Sequence, residues 1–156
     1  MSQRVDQRAE TKIELLCYDK ALKLSDFTLS VCKPKDKNVN TKHIAKRQKV
    51  IGDLLIQSVV ELGADILEAN QVYVGDNLPT EDLLRHLEQR IALQENAKRQ
   101  TFRMEHMMRT LHFDRPFADS TITYWTELLV ETRDSISKWR ASDVRRRTGI
   151  VKKGGS

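Results

Sequence analysis

The residues that could carry out acid–base, nucleophilic or metal chemistry are few and scattered. They are the four histidines and two cysteines, His43, His86, His106, His112, Cys17 and Cys32. None of them has the spacing of a zinc site or of a helical HExxH motif, and the chain has no glycine-rich phosphate loop. We therefore expect no metal, no cofactor and no enzymatic activity.

One spacing supports an alternative function. Arg99 and His106 are separated by six residues, which resembles the Arg-x6-His motif of HEPN ribonucleases. In those helical enzymes a His acts as acid or base and an Arg stabilises phosphate charge. The residue after the Arg is Gln100, where that motif typically has Asn, Asp or His. An HEPN-like ribonuclease is one alternative, and a structural bundle that binds only protein is another.

Positive charge is the strongest chemical signal. The net charge is +5, and residues 33–49 and 138–156 each contain seven Lys or Arg and one acid, whereas residues 50–95 contain nine acids and two Arg. Clusters of this density suit a polyanion, because each neutralised phosphate releases counterions. The candidate nucleic-acid-binding residues are Lys33, Lys35, Lys37, Lys42, Lys46, Arg47, Lys49, Lys98, Arg99, Arg103, Arg109, Arg140, Arg145, Arg146, Arg147, Lys152 and Lys153.

Two structural interpretations compete with nucleic-acid binding. A single basic run is usually a solvated face, and Arg145–Arg147 could instead fold onto the acidic turn around Asp76. The sequence has no helix-turn-helix, zinc finger or RNP motif, so sequence-specific reading of a duplex is not expected.

The elements that must position these residues are helices. The chain has only six Gly and three Pro, and breaks occur at residues 33–40, 75–79 and 112–116, with Asp114 a candidate N-cap. Apolar residues recur between the breaks with a period near 3.6. We predict an all-α, antiparallel up-down four-helix bundle over residues 1–147, followed by a flexible basic tail over 148–156.

The first helical segment has two apolar stripes. One stripe contains Ile13, Leu16, Leu24, Phe27 and Val31. The stripe beside it contains Leu15, Tyr18, Leu22 and Leu29. Because one bundle covers only one stripe, the other is expected to contact a neighbouring subunit, and we predict a homo-oligomer.

The compartment is expected to be the cytoplasm. No apolar run approaches 18 residues, which indicates no membrane span, and the first ten residues lack the apolar core of a signal peptide. On one helix, Cys17 and Cys32 would lie roughly 22 Å apart, too far for a disulfide within one subunit.

Several segments resemble a known family. Residues 124–147 combine an aliphatic stripe, the late Trp139 and a basic tail, and they resemble the last helix of the accessory variability proteins of diversity-generating retroelements. The first segment, with Tyr18-Asp19-Lys20-Ala21-Leu22 and the basic loop after it, looks similar. Residues 58–69 are similar to the small-residue second helix of the related four-helix-bundle proteins encoded in ribosomal RNA intervening sequences.

The resemblance spans most of residues 13–147 and implies a definite function. Proteins of this family are basic, barrel-shaped homopentamers that bind a reverse transcriptase and its template RNA. The complex makes adenine-mutagenised cDNA that diversifies a target gene, and the accessory protein has no catalytic site of its own. The resemblance therefore implies a non-enzymatic subunit whose partners are a reverse transcriptase, RNA or RNA–cDNA, and further copies of itself.

Overall fold

The computed structural model describes residues 2–32 and 42–154, with side chains described from residue 13 in the first range and from residue 46 in the second. Four helices fill most of these ranges: α1 Ser2–Cys32, α2 Lys42–Gln71, α3 Thr80–Asp114 and α4 Asp119–Gly154. Neither range contains a strand, so the predicted all-helical, four-helix fold is confirmed. The candidate binding residues Lys33, Lys35 and Lys37 lie outside the described residues, as does the side chain of Lys42.

The turn between α2 and α3 follows from its residues. The amide of Leu78 donates to the carbonyl of Gly75 at 3.2 Å, and Pro79 then immediately precedes α3. Proline lacks an N–H, which costs little here because the first amides of a helix have no helical partner. Glu81 and Asp82 lie in the first turn of α3, where the helix dipole favours negative charge.

The expectation that Asp114 caps α4 is wrong. Asp114 is the last residue of α3, and α4 begins at Asp119. The carbonyl of Ala118 accepts the amides of Thr121 and Ile122 at 3.0 and 3.1 Å. Pro116 accounts for the gap, because a proline disfavours helical backbone in the residue before it.

Each helix packs against two others. Contacts join α1 to α2, α2 to α3, α3 to α4 and α4 to α1. In the described residues, the backbones of α1 and α3, and those of α2 and α4, do not approach each other closely. The four helices therefore surround a shared core, and every helix keeps an outer face.

The core consists of two apolar clusters. One contains Trp125 with Leu55, Met104 and Leu129, and the other contains Trp139 with residues that include Ile66 and Ile136. The indole of Trp125 donates to the buried hydroxyl of Thr28 at 3.0 Å, so its polar atom is satisfied inside the core.

The core face of α1 follows neither apolar stripe of the sequence in full. Leu24 of the first stripe is buried, but its buried neighbours on α1 are Cys17, Ala21 and Thr28, while Leu16 is 47% exposed. Small side chains at these positions let the backbone of α1 approach the core closely. Leu16 precedes Cys17 by one residue, so it lies about 100° around the helix from this buried face.

A charged network lies within the core. The guanidinium of Arg90 on α3 donates to both carboxylate oxygens of Asp143 on α4 at 2.7 and 2.5 Å, and to Glu14 on α1 at 2.8 Å. Gln94 donates to the same Asp143 at 2.6 Å, and Arg90 lies over the Trp139 ring. Arg90 and Asp143 are almost fully buried, so this network ties three helices together.

The last helix continues past the predicted domain boundary. Residues 148–154, which the sequence assigned to a basic tail, are helical in the structure, and most are exposed. Among the described residues, no helix carries a stretch that is both long and apolar enough to cross a membrane.

Candidate nucleic-acid interface

One basic side chain at the start of α2 forms an ion pair with an acid, and others are open, meaning that they have no such partner among the described residues. Lys46 and Lys49 are exposed, lie one helical turn apart, and make no ion pair with a described residue. Arg47 points to α3, where its Nε and Nη2 donate to the Asp114 carboxylate at 2.8 and 2.5 Å. This hydrogen bond and the Asp114 charge raise the pKa of Arg47. Arg47 therefore joins α2 to α3, and its two neighbours remain open to an anion.

The middle of α3 presents a second basic group on its outer face. Arg99 and Arg103 are exposed, and neither pairs with an acid in the part of the chain that the structure describes. His106 follows at a spacing that continues the same face, and Lys98 is half-buried beside them. Arg109 is exposed but lies 3.3 Å from Glu105 of its own helix. The open charge of α3 therefore centres on Arg99 and Arg103.

An aromatic side chain sits within this group. Phe102 is 51% exposed, and the guanidinium carbon of Arg133, on α4, lies 4.0 Å from its ring centroid. Arg133 is held in place because it donates to the Thr101 hydroxyl at 2.9 Å and to the Glu105 carboxylate at 2.9 Å. The result is an exposed ring with one face covered by a fixed cation.

The basic end of α4 is partly neutralised by acids of other elements. Arg140 pairs with Glu95 on α3 at 2.5 Å, and Arg146 pairs with Asp76 in the turn before α3 at 2.9 Å. Arg145 and Arg147 flank Arg146 and form no ion pair with described residues. Lys152 and Lys153 are exposed, and Lys153 is already engaged within the chain. Folding onto the acidic turn thus accounts for one arginine of the three.

The structure separates the predicted binding residues into three exterior groups. These are the α2 group, the α3 group and the α4 group, represented by Lys46 with Lys49, Arg99 with Arg103, and Arg145 with Arg147. The members that pair with acids are Arg47, Arg109, Arg140 and Arg146. The paired arginines already donate to a carboxylate, so the open side chains are the better candidates for phosphate contacts.

The described residues give little support for a metal site or a reactive nucleophile. No group of three His, Cys, Asp or Glu there could hold a metal ion. Burial raises the pKa of the Cys17 thiol to about 12 and that of the Cys32 thiol to about 11, so both thiols remain protonated at neutral pH. Arg99 and His106, the residues of the ribonuclease alternative, are both exposed on α3.

Sequence reasoning missed Phe102 with Arg133, and it missed the buried network of Arg90. Arg90, Gln94, Ala97, Thr101 and Met104 continue the buried face of α3 that begins at Leu83 and Leu87. The helical spacing of these positions could have revealed the network, because it continues from the apolar start of α3 through the polar middle of the helix. Phe102 lies beside the buried Thr101, outside that register, which indicates a surface aromatic.

Comparison with known proteins gives no match: no protein-family model, no curated protein and no solved structure is similar to this chain at a significant level.

Proposed function

We propose that this chain is a non-enzymatic, cytoplasmic RNA-binding subunit that assembles with a reverse transcriptase and its template RNA. The observation that carries the RNA part is the set of exposed cations without acidic partners, above all Arg99 and Arg103 at the centre of α3. The reverse transcriptase, and a role in mutagenic cDNA synthesis by a diversity-generating retroelement, rest on the resemblance of residues 13–147 described above.

Physical chemistry supports the choice of these cations. A charge that is already paired gains little when a phosphate approaches, because the phosphate must compete with a carboxylate for the same donors. An exposed and unpaired guanidinium can bind phosphate through two parallel hydrogen bonds, and the counterions that leave the nucleic acid add a favourable entropy.

The arrangement of the bundle supports three separate positions for these groups. We infer that the helices alternate in direction, because rising residue numbers on one helix meet falling numbers on the next. Arg47 pairs with Asp114 and Glu61 with Gln100 between α2 and α3. Glu105 with Arg133 and Glu95 with Arg140 repeat the pattern between α3 and α4. The α2 group then lies near one end, the α3 group near the middle and the α4 group near the other end.

We also infer that the chain forms a homo-oligomer, for which the resemblance implies a pentamer. Leu15, Leu22 and Leu29 are 61%, 46% and 37% exposed and recur every seven residues along α1. On α2, which packs against α1, Val60 and Leu67 are exposed at the same interval. A seven-residue apolar repeat is the spacing at which helices associate side by side, so a second copy is the occupant that it suits.

The test of the RNA part is a matched pair of charge reversals. Arg99→Glu removes an open cation, whereas Arg85→Glu makes the same change 14 residues earlier on α3, where Arg85 pairs with Asp82. We expect Arg99→Glu to weaken binding of a single-stranded RNA several-fold and to lower the salt slope by about 0.7. Arg85→Glu should leave both nearly unchanged, and the RNA should remain intact throughout.

The same titrations distinguish the alternatives. Equal effects of the two reversals would mean that binding follows net charge alone and would contradict an interface at Arg99. If the wild-type chain retains no RNA at low salt, the RNA part fails and a protein-binding bundle is favoured. RNA cleavage that is lost in His106→Ala would instead establish the ribonuclease.

A further inference from the structure

The ring of Phe102 is placed where an unpaired nucleic-acid base could stack on it. About half of the residue is exposed, and the guanidinium carbon of Arg133 lies 4.0 Å from the ring centroid. A guanidinium at this distance covers one face of the ring and is attracted by its π-electrons. The exposed half of Phe102 is therefore open to a flat partner.

The Arg133 side chain is fixed before any ligand arrives. Only 15% of it is exposed, its Nε donates to Thr101, and its Nη2 donates to Glu105 and to the Thr101 carbonyl. The ring and the cation thus form a preassembled two-layer stack across α3 and α4. A ligand that adds a third layer need not order either side chain, which lowers the entropy cost of binding.

Basic side chains lie on both sides of the ring along α3. Lys98 and Arg99 precede Phe102 by about one helical turn, Arg103 follows it directly, and His106 lies one turn beyond. The nearest acid on α3 is Glu105, whose carboxylate is already bound by Arg133 and Arg109. The surroundings are therefore suited to phosphate and unsuited to a carboxylate-rich partner.

We propose that Phe102 is a stacking platform for a base of single-stranded RNA, with Arg99 and Arg103 binding the adjacent phosphates. This inference rests on the proposed function and adds the type of RNA and the way it is recognised. A base in a duplex is stacked between its neighbours and cannot offer a free face, so the platform favours unpaired RNA. Every base has such a face, so recognition does not depend on the sequence.

A protein partner is the less suitable occupant of this position. Protein interfaces typically bury a contiguous apolar centre. The exposed leucines that could form such a centre lie on α1 and α2, not on α3. Phe102 is a single ring among cations, which is the composition of a site that tracks a nucleic-acid strand.

The test introduces a fluorescent side chain at the platform. The chain has two tryptophans, Trp125 and Trp139, and both are buried, so Phe102→Trp adds one exposed indole. We expect a short single-stranded RNA to quench the emission of this indole, because a stacked base lies in direct contact with it. A duplex RNA of the same length should bind through its phosphates without this quenching.

A second variant measures the affinity that stacking contributes. Phe102→Leu keeps an apolar side chain and changes no charge, so we expect single-stranded RNA to bind about five-fold more weakly or worse, with an unchanged salt slope. Stacking is worth about 1–3 kcal/mol per base, and 1.4 kcal/mol corresponds to tenfold. Circular dichroism checks that both variants fold as the wild type does.

The outcomes separate this inference from the proposed function. If wild-type chain binds RNA but Phe102→Leu binds equally well, or if single-stranded RNA leaves the new indole unquenched, the platform is refuted and charge-driven RNA binding stands. If no RNA binds to any variant at low salt, the proposed RNA function fails as well. An indole that is shielded by a protein partner and unaffected by RNA would also overturn the platform.

Discussion

Two charged residues, Arg90 and Asp143, lie inside a core that is otherwise mostly apolar. Arg90 and Asp143 have lost nearly all contact with water, and a buried ion pair returns little net stability because its desolvation is costly. The cost of breaking it is large for the same reason, since the buried Arg90 would lose its fully buried carboxylate and keep the partly exposed Glu14. The pair therefore contributes more to fixing the position of α4 relative to α3 than to the free energy of unfolding.

Asp143→Asn measures the cost of breaking the buried ion pair. Asparagine keeps the shape of the side chain but removes the buried negative charge that binds Arg90 through two hydrogen bonds, so we expect the free energy of unfolding to fall by about 3–5 kcal/mol. Glu95→Gln is the matched control, because it removes a carboxylate from the exposed α3–α4 ion pair with Arg140 and should cost no more than about 1 kcal/mol. Chemical denaturation measures both variants, and equal losses would contradict a special role for the buried pair.

The thiol of Cys17 links a single residue to the pH dependence of folding. Burial raises its pKa in the folded chain to about 12, and the nearby Glu14 contributes to the shift, from a usual value of 9.0. Between these values the unfolded chain releases a proton that the folded chain keeps, so stability present below pH 9 is lost as the pH rises towards 12.

We therefore expect thermal unfolding of the wild type to occur at lower temperature as the pH rises above 9. In Cys17→Ala, which has no thiol at this position, the decline over the same pH range should be shallower. The difference between the two proteins is the quantity to measure, because it isolates the contribution of the Cys17 thiol. Parallel curves would show that the folded thiol ionises normally.

At the scale of elements, the breaks in the sequence were sufficient to predict four helices. Proline and clustered turn residues interrupt helical backbone for local reasons, so the ends of the helices can be predicted without knowing which helices pack together. The core face of α1 was harder, because two apolar stripes lie side by side and local pattern does not rank them. The face that packing buries combines Leu24 of the first stripe with Cys17, Ala21 and Thr28, which belong to neither stripe and whose small side chains a hydropathy pattern undervalues.

The candidate interface was predictable in part for a related reason. Basic residue types are visible in the sequence, but whether a given arginine faces an acid depends on contacts between helices that are far apart in the chain. Arg146 and Asp76 are 70 residues apart, and Arg47 and Asp114 are 67 apart. The sequence therefore named the basic candidates, while the contacts decided which of them remain open.

At the scale of the whole molecule, the exterior is divided by chemistry. Unpaired cations and Phe102 occupy α3, with further open cations at the start of α2 and the end of α4, while the exposed leucines lie on α1 and α2. If copies associate through the apolar residues, the cations of each copy remain outside that contact. Repetition of the α3 group around an oligomer would give several RNA contacts per particle, and linked contacts raise the affinity well above that of one.

Association through α1 is testable with two substitutions on the same helix. Leu22→Glu places a charge in the middle of the Leu15–Leu22–Leu29 row, and we expect it to convert the oligomer to a monomer in light scattering at micromolar concentration. Leu16→Glu is the control, because Leu16 is about as exposed but lies about 120° away around the helix. Its oligomer should persist. Both side chains are already in contact with solvent, so neither change should unfold the chain, and circular dichroism verifies this. A wild-type chain that is itself monomeric would refute the assembly, and dissociation by both variants would place the contact elsewhere on α1.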